Sequence, residues 1–467
     1  MKTKALLSAL VLLTTLSSLG QWSYDNFSEP KYRQGVATLG SKAYFAAGQN
    51  DSLNLSMIEI YDVSTETWDS AINLSVPRMH PTCVAAGDKI LIAGGINFFN
   101  MEFFDEIDIW DTLTKQWDLE HLLFSRFSIS AVSHGNKVLF AGGANFTSGV
   151  FDVVEIYDIE TGEWDFTTLS MGRSSMASAV VNDIAIFAGG YDLETVTDRV
   201  DLYNFTTNTW TTAALSEPRG FLAATTVGSK VYIAGGVRPD NTVSDRVDIF
   251  DAETNTWSTS ALSEPRAMFQ ESAATVCDRK AIFAGGGEFD LTWQGWASGS
   301  DVIDIYDSYT DTWSVEHMTK PLVMHACAGA EDHFLVAGGL VYVDPDSLYL
   351  TSNVEIFTDP DCYVGIGDEQ EDSSSHLSIN VYPNPTHGIV DFRWSIFDGK
   401  WTMDNGQWTI LKVFNTQGQE VATLLDGMCY GDQVIRWDMS GLPAGIYYYR
   451  TSTIDNRPST MGKIVKY

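Results

Sequence analysis

The sequence predicts an all-β fold: a long array of short strands, then a second, smaller β domain. Three observations carry this. Paired glycines recur about every 48 residues, at Gly94-Gly95, Gly142-Gly143, Gly189-Gly190, Gly235-Gly236, Gly285-Gly286 and Gly338-Gly339, with Ala47-Gly48 as a degenerate first copy. A fixed period of that length marks units that bury their apolar faces only by stacking on one another. After each pair comes a strand of one pattern: apolar, acid, apolar, aromatic. Beyond residue 376 the pattern changes to longer alternating strands.

Each unit reads in the same order. A short apolar run such as Lys89-Ile90-Leu91-Ile92-Ala93 is a buried strand, ended where glycine permits positive φ or close approach. The acid-bearing strand follows: Ile58-Glu59-Ile60-Tyr61, Ile107-Asp108-Ile109-Trp110, Val154-Glu155-Ile156-Tyr157 and four more to Val354-Glu355-Ile356-Phe357. A polar turn leads to a tryptophan, seven residues after the aromatic: Trp68, Trp117, Trp164, Trp210, Trp257 and Trp313. Then comes Pro-Arg or a variant of it, giving Arg78, Arg126, Arg173, Arg219 and Arg266. These arginines nearly match the strand-three acids in number, which points to structural pairing between strands.

Together these features resemble the kelch repeat, in seven copies over roughly residues 21–358. The resemblance implies four-stranded blades and hence a seven-bladed kelch-type β-propeller. The seventh copy lacks a tryptophan strand, and the N-terminal stretch supplies one. Trp22 lies eight residues before Pro30, as Trp257 does before Pro265, and Ser28-Glu29-Pro30 repeats Ser-Glu-Pro of 216–218 and 263–265. The N-terminal strand is therefore expected to complete the last blade and close the ring, removing exposed edges.

Composition narrows the function. The 467 residues are 44 % apolar and 12 % aromatic, so the chain is not disordered as a whole. Its 61 acidic and 28 basic residues give a net charge of −33, which disfavours nucleic acid and anionic membranes as partners. The five cysteines, Cys83, Cys277, Cys327, Cys362 and Cys429, show no metal-like spacing and are too few for a disulfide framework, leaving room for one pair. Residues 1–20 read as a secretory signal: Lys2 and Lys4, an apolar run from Ala5 to Leu16, and small Ser18 and Gly20 before a cut at Gln21.

Length variation between repeats points to one face of the disc. From the proline position to the second glycine is 18 residues in six copies and 21 in the sixth, with the extra residues near Met268-Phe269-Gln270. The loops between strands two and three also vary, and they share a face with the blade-to-blade loops. Loops on a rigid scaffold carry function. They are aromatic: Phe98, Phe99, Phe103 and Phe104 in the second copy, Trp293 and Trp296 in the sixth, Tyr342 and Tyr349 in the seventh. They serve either as exposed stacking surfaces for sugars and protein anchors or as local minicores. Fifteen residues before each second glycine stand Arg33, His80, Ser128, Ser175, Phe221, Glu271 and Met324, a mixed ring at the channel mouth and a candidate ligand-binding set.

Residues 359–376 form an acidic linker. Residues 377–467 then open on Val381-Tyr382-Pro383-Asn384-Pro385, continue to Leu442-Pro443-Ala444-Gly445-Ile446-Tyr447 and end near Lys463-Ile464-Val465-Lys466. This order resembles the C-terminal sorting domain of the bacterial type IX secretion system, a small β-sandwich. The resemblance implies a sorting signal involving Pro383, Asn384, Pro385, Gly445, Lys463 and Lys466. It also implies type IX machinery as a partner, and export through the periplasm with release or surface attachment.

No phosphate loop, HExxH, GxSxG or calcium-loop pattern occurs, so no metal, cofactor or catalytic residue is assigned. The expected function is an exported, non-enzymatic binding propeller, a monomer that recognises an extracellular glycan or protein. The alternative is a sugar-modifying enzyme of epimerase or mutarotase type, with His80, Glu271 and Arg33 in the mouth.

Overall fold

The computed structural model describes residues 21–292, 295–344, 347–359, 362, 377–382, 388–396, 407–415, 420–429, 433–453 and 458–466. The signal segment 1–20, most of the linker, Trp293 and the Pro383-Asn384-Pro385 motif lie outside these residues. The chain divides into two compact units, residues 1–362 and 363–467.

The first unit is an all-β, kelch-type propeller. Among the described residues it holds seven sheets of four to six strands, each with the meander order of a blade, beside three two-stranded ribbons in the loops. The second is typical: Thr82–Ala86, Lys89–Ala93, Glu106–Asp111 and Gln116–His121, paired antiparallel in that sequence. The first strands of successive sheets touch from Gly35–Leu39 to Ala326–Ala330, and the last touches the first, so the ring is closed. The last sheet is completed by the N-terminal strand. Gln21–Asn26 pairs antiparallel with Asn353–Thr358, placing Trp22 opposite Phe357.

The repeated residues have plain physical uses. Each tryptophan sits directly across the strand pair from the strand-three aromatic, as Tyr61 opposite Trp68 and Tyr203 opposite Trp210. Ring centroids in these pairs are 4.7 to 5.4 Å apart, which is the contact range for tilted aromatic pairs. The seven-residue spacing is what a tight hairpin turn needs to bring the two rings into register. In the glycine pairs both residues have positive φ, 61° and 115° at Gly94 and Gly95. A Cβ on Gly94 would also stand 2.5 Å from the Arg126 carbonyl oxygen.

The Pro-Arg arginines clasp one blade to the next. Arg78 reaches Asp108 at 2.7 Å, Arg126 reaches Glu155 at 2.6 Å, Arg173 reaches Asp201 at 2.7 Å and Arg266 reaches Asp304 at 2.6 Å; Arg219 pairs with Asp248. All five guanidinium side chains are fully buried. Lys31 plays the same part in the first blade, 2.7 Å from Glu59. At the last boundary Leu322 stands in the basic position, and Glu355 instead accepts from the Thr319 backbone N–H at 3.0 Å. A disulfide between Cys277 and Cys362 ties the end of this unit back to the sixth blade.

The second unit contains a three-stranded and a four-stranded antiparallel sheet among its described residues. Its core gathers Val390, Phe392, Leu411, Val413, Tyr447, Tyr449 and Ile464 from both sheets.

Candidate functional site

The ring positions are set by the backbone. Arg33, His80, Ser128, Ser175, Phe221 and Met324 all have positive φ, between 50° and 57°. This kink turns the chain from the blade boundary into the innermost strand. Main-chain bonds link neighbours: Arg33 N–H to the Met324 carbonyl (3.1 Å), His80 to Arg33 (2.9 Å), Phe221 to Ser175 (3.1 Å). Met268 N–H donates to the Phe221 carbonyl at 2.9 Å, so the sixth member of the ring is Met268. Glu271 does not occupy that place. The three extra residues of the sixth copy, Phe269 to Glu271, lie between the ring position and the strand, so counting back from the glycine lands inside the insertion.

The insertion fills the channel. Phe269 packs edge-on against His80 and Phe221, each at 5.7 Å. Gln270 crosses to the fourth and fifth blades. Its Oε1 accepts from the Ser178 N–H at 2.8 Å, and its amide nitrogen donates to the carbonyls of Ser178 (2.9 Å) and Ala224 (3.4 Å). Glu271 sits on the one-turn 3-10 helix Gln270–Ser272 that follows.

This plug separates two cavities. The mouth cavity, ≈ 450 Å³, is lined by Arg33, His80, Ser128, Ser175, Phe221 and Met324. Its apolar wall comes from the loops: Phe98, Phe127, Phe146, Tyr191, Phe289 and Trp296. The inner cavity, ≈ 260 Å³, is lined by Thr82, Cys83, Gln270, Glu271, Thr275 and Cys327. Arg33, His80 and Glu271 meet only around a gap of ≈ 10 Å³.

Enclosure decides the charge states. Burial, with Arg33 nearby, pushes the His80 imidazole down to about 3, so it is neutral at physiological pH. Its Nε2 lies 3.4 Å from the Ser128 hydroxyl. Burial raises the Glu271 carboxyl to about 7. Burial also lowers the Arg33 pKa. Its Nε donates to Met324 Sδ at 3.2 Å, and its guanidinium lies 5.5 Å from the Phe98 ring centre. The thiols of Cys83 and Cys327, free of disulfides, are pushed upward by the same burial.

The aromatic loop residues divide. Phe98 and Trp296 line the mouth cavity; Phe99 and Tyr342 do not. Trp296 is only 4 % exposed and packs on Phe289 at 5.3 Å and Phe269 at 6.0 Å, so it is a packed support and not an exposed platform. Phe104 is likewise buried. Phe99 is 57 % exposed, outside the cavity. The Tyr342 hydroxyl donates to the Ala297 carbonyl and braces two loops. Phe127, Phe146 and Phe289 escaped the sequence reading, because one-off aromatics in loops carry no periodic signal.

In the second unit Gly445 pairs in register with Lys466. The buried Lys466 ammonium donates to the carbonyls of Leu442 and Ser440, closing the turn that precedes Gly445. Lys463 lies on the same strand, opposite Tyr448.

Known families agree with this architecture. Residues 126–339 match the KLHDC2/KLHL20/DRC7 Kelch-repeats domain, and residues 30–71 and 77–119 match the Kelch motif. Residues 380–467 match the secretion system C-terminal sorting domain. The chain carries kelch repeats followed by a secretion-system sorting domain. Such a tail indicates export, with secretion or cell-surface attachment, and interaction with the type IX machinery. A putative F-box/kelch-repeat protein of Arabidopsis thaliana is 30 % identical over 84 residues, covering 18 % of this chain and 28 % of that protein. A second F-box/kelch-repeat protein of that plant is 25 % identical over 91 residues, 20 % of this chain and 23 % of its own length. The matches thus span about a quarter of these curated relatives, within the kelch-repeat likeness.

Proposed function

We propose that this kelch-repeat chain is an exported, non-enzymatic binding propeller that recognises an extracellular protein or glycan through its mouth cavity. The observation that carries this reading is the cavity itself. It has the volume of a ligand site, a mainly aromatic wall and a few convergent polar groups. The preponderance of apolar and aromatic side chains in its lining favours an apolar segment of a protein over a glycan, whose hydroxyls need many partners.

The plug weighs against the sugar-modifying alternative. His80 opens on the mouth and Glu271 on the inner cavity, so one sugar does not reach both. The spaces they share, ≈ 30 Å³ and ≈ 10 Å³, are on the scale of single waters and too small for a sugar ring.

The test compares the chain without its signal and tail with a Phe146→Ala/Leu348→Ala variant. Both side chains line the cavity and are over 40 % exposed. Capture of an extracellular protein or an arrayed glycan is expected to fall at least tenfold with the melting temperature unchanged. Undiminished capture would place recognition elsewhere on the molecule. For the tail, deleting residues 377–467 is expected to leave the propeller in the periplasm; normal appearance outside the cell would overturn its sorting role.

A further inference from the structure

We propose that the mouth cavity selects a carboxylate carried on an apolar body, with Arg33 as its anion partner. This deepens the binding reading above and rests on it. The contrast with the other buried cations carries it. Lys31, Arg78, Arg126, Arg173, Arg219 and Arg266 are each ion-paired with a strand-three carboxylate. Arg33 stands two residues from Lys31, yet among the described residues no carboxylate comes within ion-pair distance of it. Among the described residues its one side-chain hydrogen bond is the weak contact of Nε with Met324 Sδ, and the residue lines the cavity.

An enclosed charge without a partner is costly unless something pairs with it. Glu271 borders the same ≈ 10 Å³ gap as Arg33 and its charge is felt there, but it does not come within ion-pair distance. Its larger opening is on the inner cavity, which Arg33 does not line. His80, held neutral, brings no competing positive charge and leaves hydrogen-bonding capacity beside Ser128. A guanidinium fork matches a carboxylate in a bidentate manner. The wall of Phe98, Phe127, Phe146 and Phe289 then receives the apolar body. The long-range field of a chain with net charge −33 repels anions, so selection for one arises only from this local geometry.

The carboxylate can belong to a free small acid or to an acidic side chain of a partner protein, and the experiment separates them. The mature protein is titrated calorimetrically with 4-phenylbutyrate, with its neutral amide, and with capped Phe-Glu-Phe and Phe-Gln-Phe peptides. At least one acid is expected to bind about tenfold or more tightly than its neutral twin. Arg33→Gln is expected to erase that preference and Arg33→Lys to keep part of it. A preference confined to the free acids assigns a small-molecule ligand; one confined to the peptides assigns a protein. Equal binding of acid and neutral twin, a preference that survives Arg33→Gln, or binding of none of the four overturns the inference. The wider binding reading is judged apart, by capture with the Phe146→Ala/Leu348→Ala variant. Should Arg33→Gln unfold, the acid-to-neutral ratio in Arg33→Lys decides: an unchanged or partly reduced ratio of tenfold order supports the inference, and a ratio of one overturns it.

Discussion

Lys31 and Arg33 lie two residues apart at one blade boundary and serve opposite ends. Lys31 is fully buried and paired with Glu59. Arg33 lines the mouth cavity, and among the described residues no acid comes within ion-pair distance of it. The same contrast runs round the ring: the clasp position holds a paired cation in six of seven copies, while the seven ring positions hold five different residue types. A buried cation with its own carboxylate is framework. Where the same chain turn offers a side chain to a cavity, the framework places no demand on its identity.

The largest expected effect tests the framework half of that comparison. Arg173→Leu strands Asp201 in a buried site, and loss of one partner of a buried pair costs about 3–5 kcal/mol. A urea midpoint should fall accordingly, and adding Asp201→Leu should restore most of it. If Arg173→Leu unfolds at the wild-type midpoint, the clasps are ornament.

Next comes the packed support of the mouth. Trp296→Ala should cost roughly 3 kcal/mol, because the indole is enclosed by Phe269 and Phe289. Phe99→Ala, at an exposed position, should stay within about 0.5 kcal/mol. Equal melting temperatures for the two variants would mean that Trp296 is not part of the scaffold.

The covalent tie should rank below these or beside them. Cys362→Ser removes a cross-link spanning 85 residues, and such losses run to about 2–4 kcal/mol. Calorimetry of the oxidised protein and the variant measures it. The tie stands at the one boundary where Leu322 replaces the clasp cation, so the loss should open the ring there first, seen as faster hydrogen exchange in Asn353–Thr358.

The smallest effect is the pH profile. Glu271 has its folded pKa raised from 4.5 to about 7, so its contribution is present below pH 4.5 and is lost as pH rises through 7. Glu271→Gln should therefore gain on the wild type steadily between those values. His80 and His325, lowered from 6.5 to about 3 and about 4, act with the opposite sign. Their contribution is present above pH 6.5 and is lost as pH falls through their folded values. Denaturant midpoints from pH 3.5 to 8 report both slopes. A Glu271→Gln curve parallel to the wild type would show the carboxyl to be solvated in the channel.

Much of this architecture is legible in the sequence alone. The glycine pairs, the tryptophan spacing and the Pro-Arg repeats determine the blade, because a repeated local geometry leaves a repeated residue pattern. The acid-arginine match foretold the clasps, and Trp22 with Ser28-Glu29-Pro30 pointed to the strand that pairs with Asn353–Thr358. The type of tail was equally plain from its ordered motifs. What the repeat could not reveal was whatever breaks it. Three extra residues in the sixth copy are visible as a length, but their path into the channel is decided by bonds from Gln270 to Ser178 and Ala224, 92 and 46 residues away. Counting positions along the chain put Glu271 on the ring; the fold puts Met268 there and Glu271 below it. For the tryptophan at 296 the sequence leaves exposed platform and local minicore both open, and it is a minicore because Phe269 and Phe289 arrive from other loops. Local sequence determines what each blade must be, since its contacts are near in the chain. The contents of the central channel depend on seven blades converging, and only the closed ring decides them.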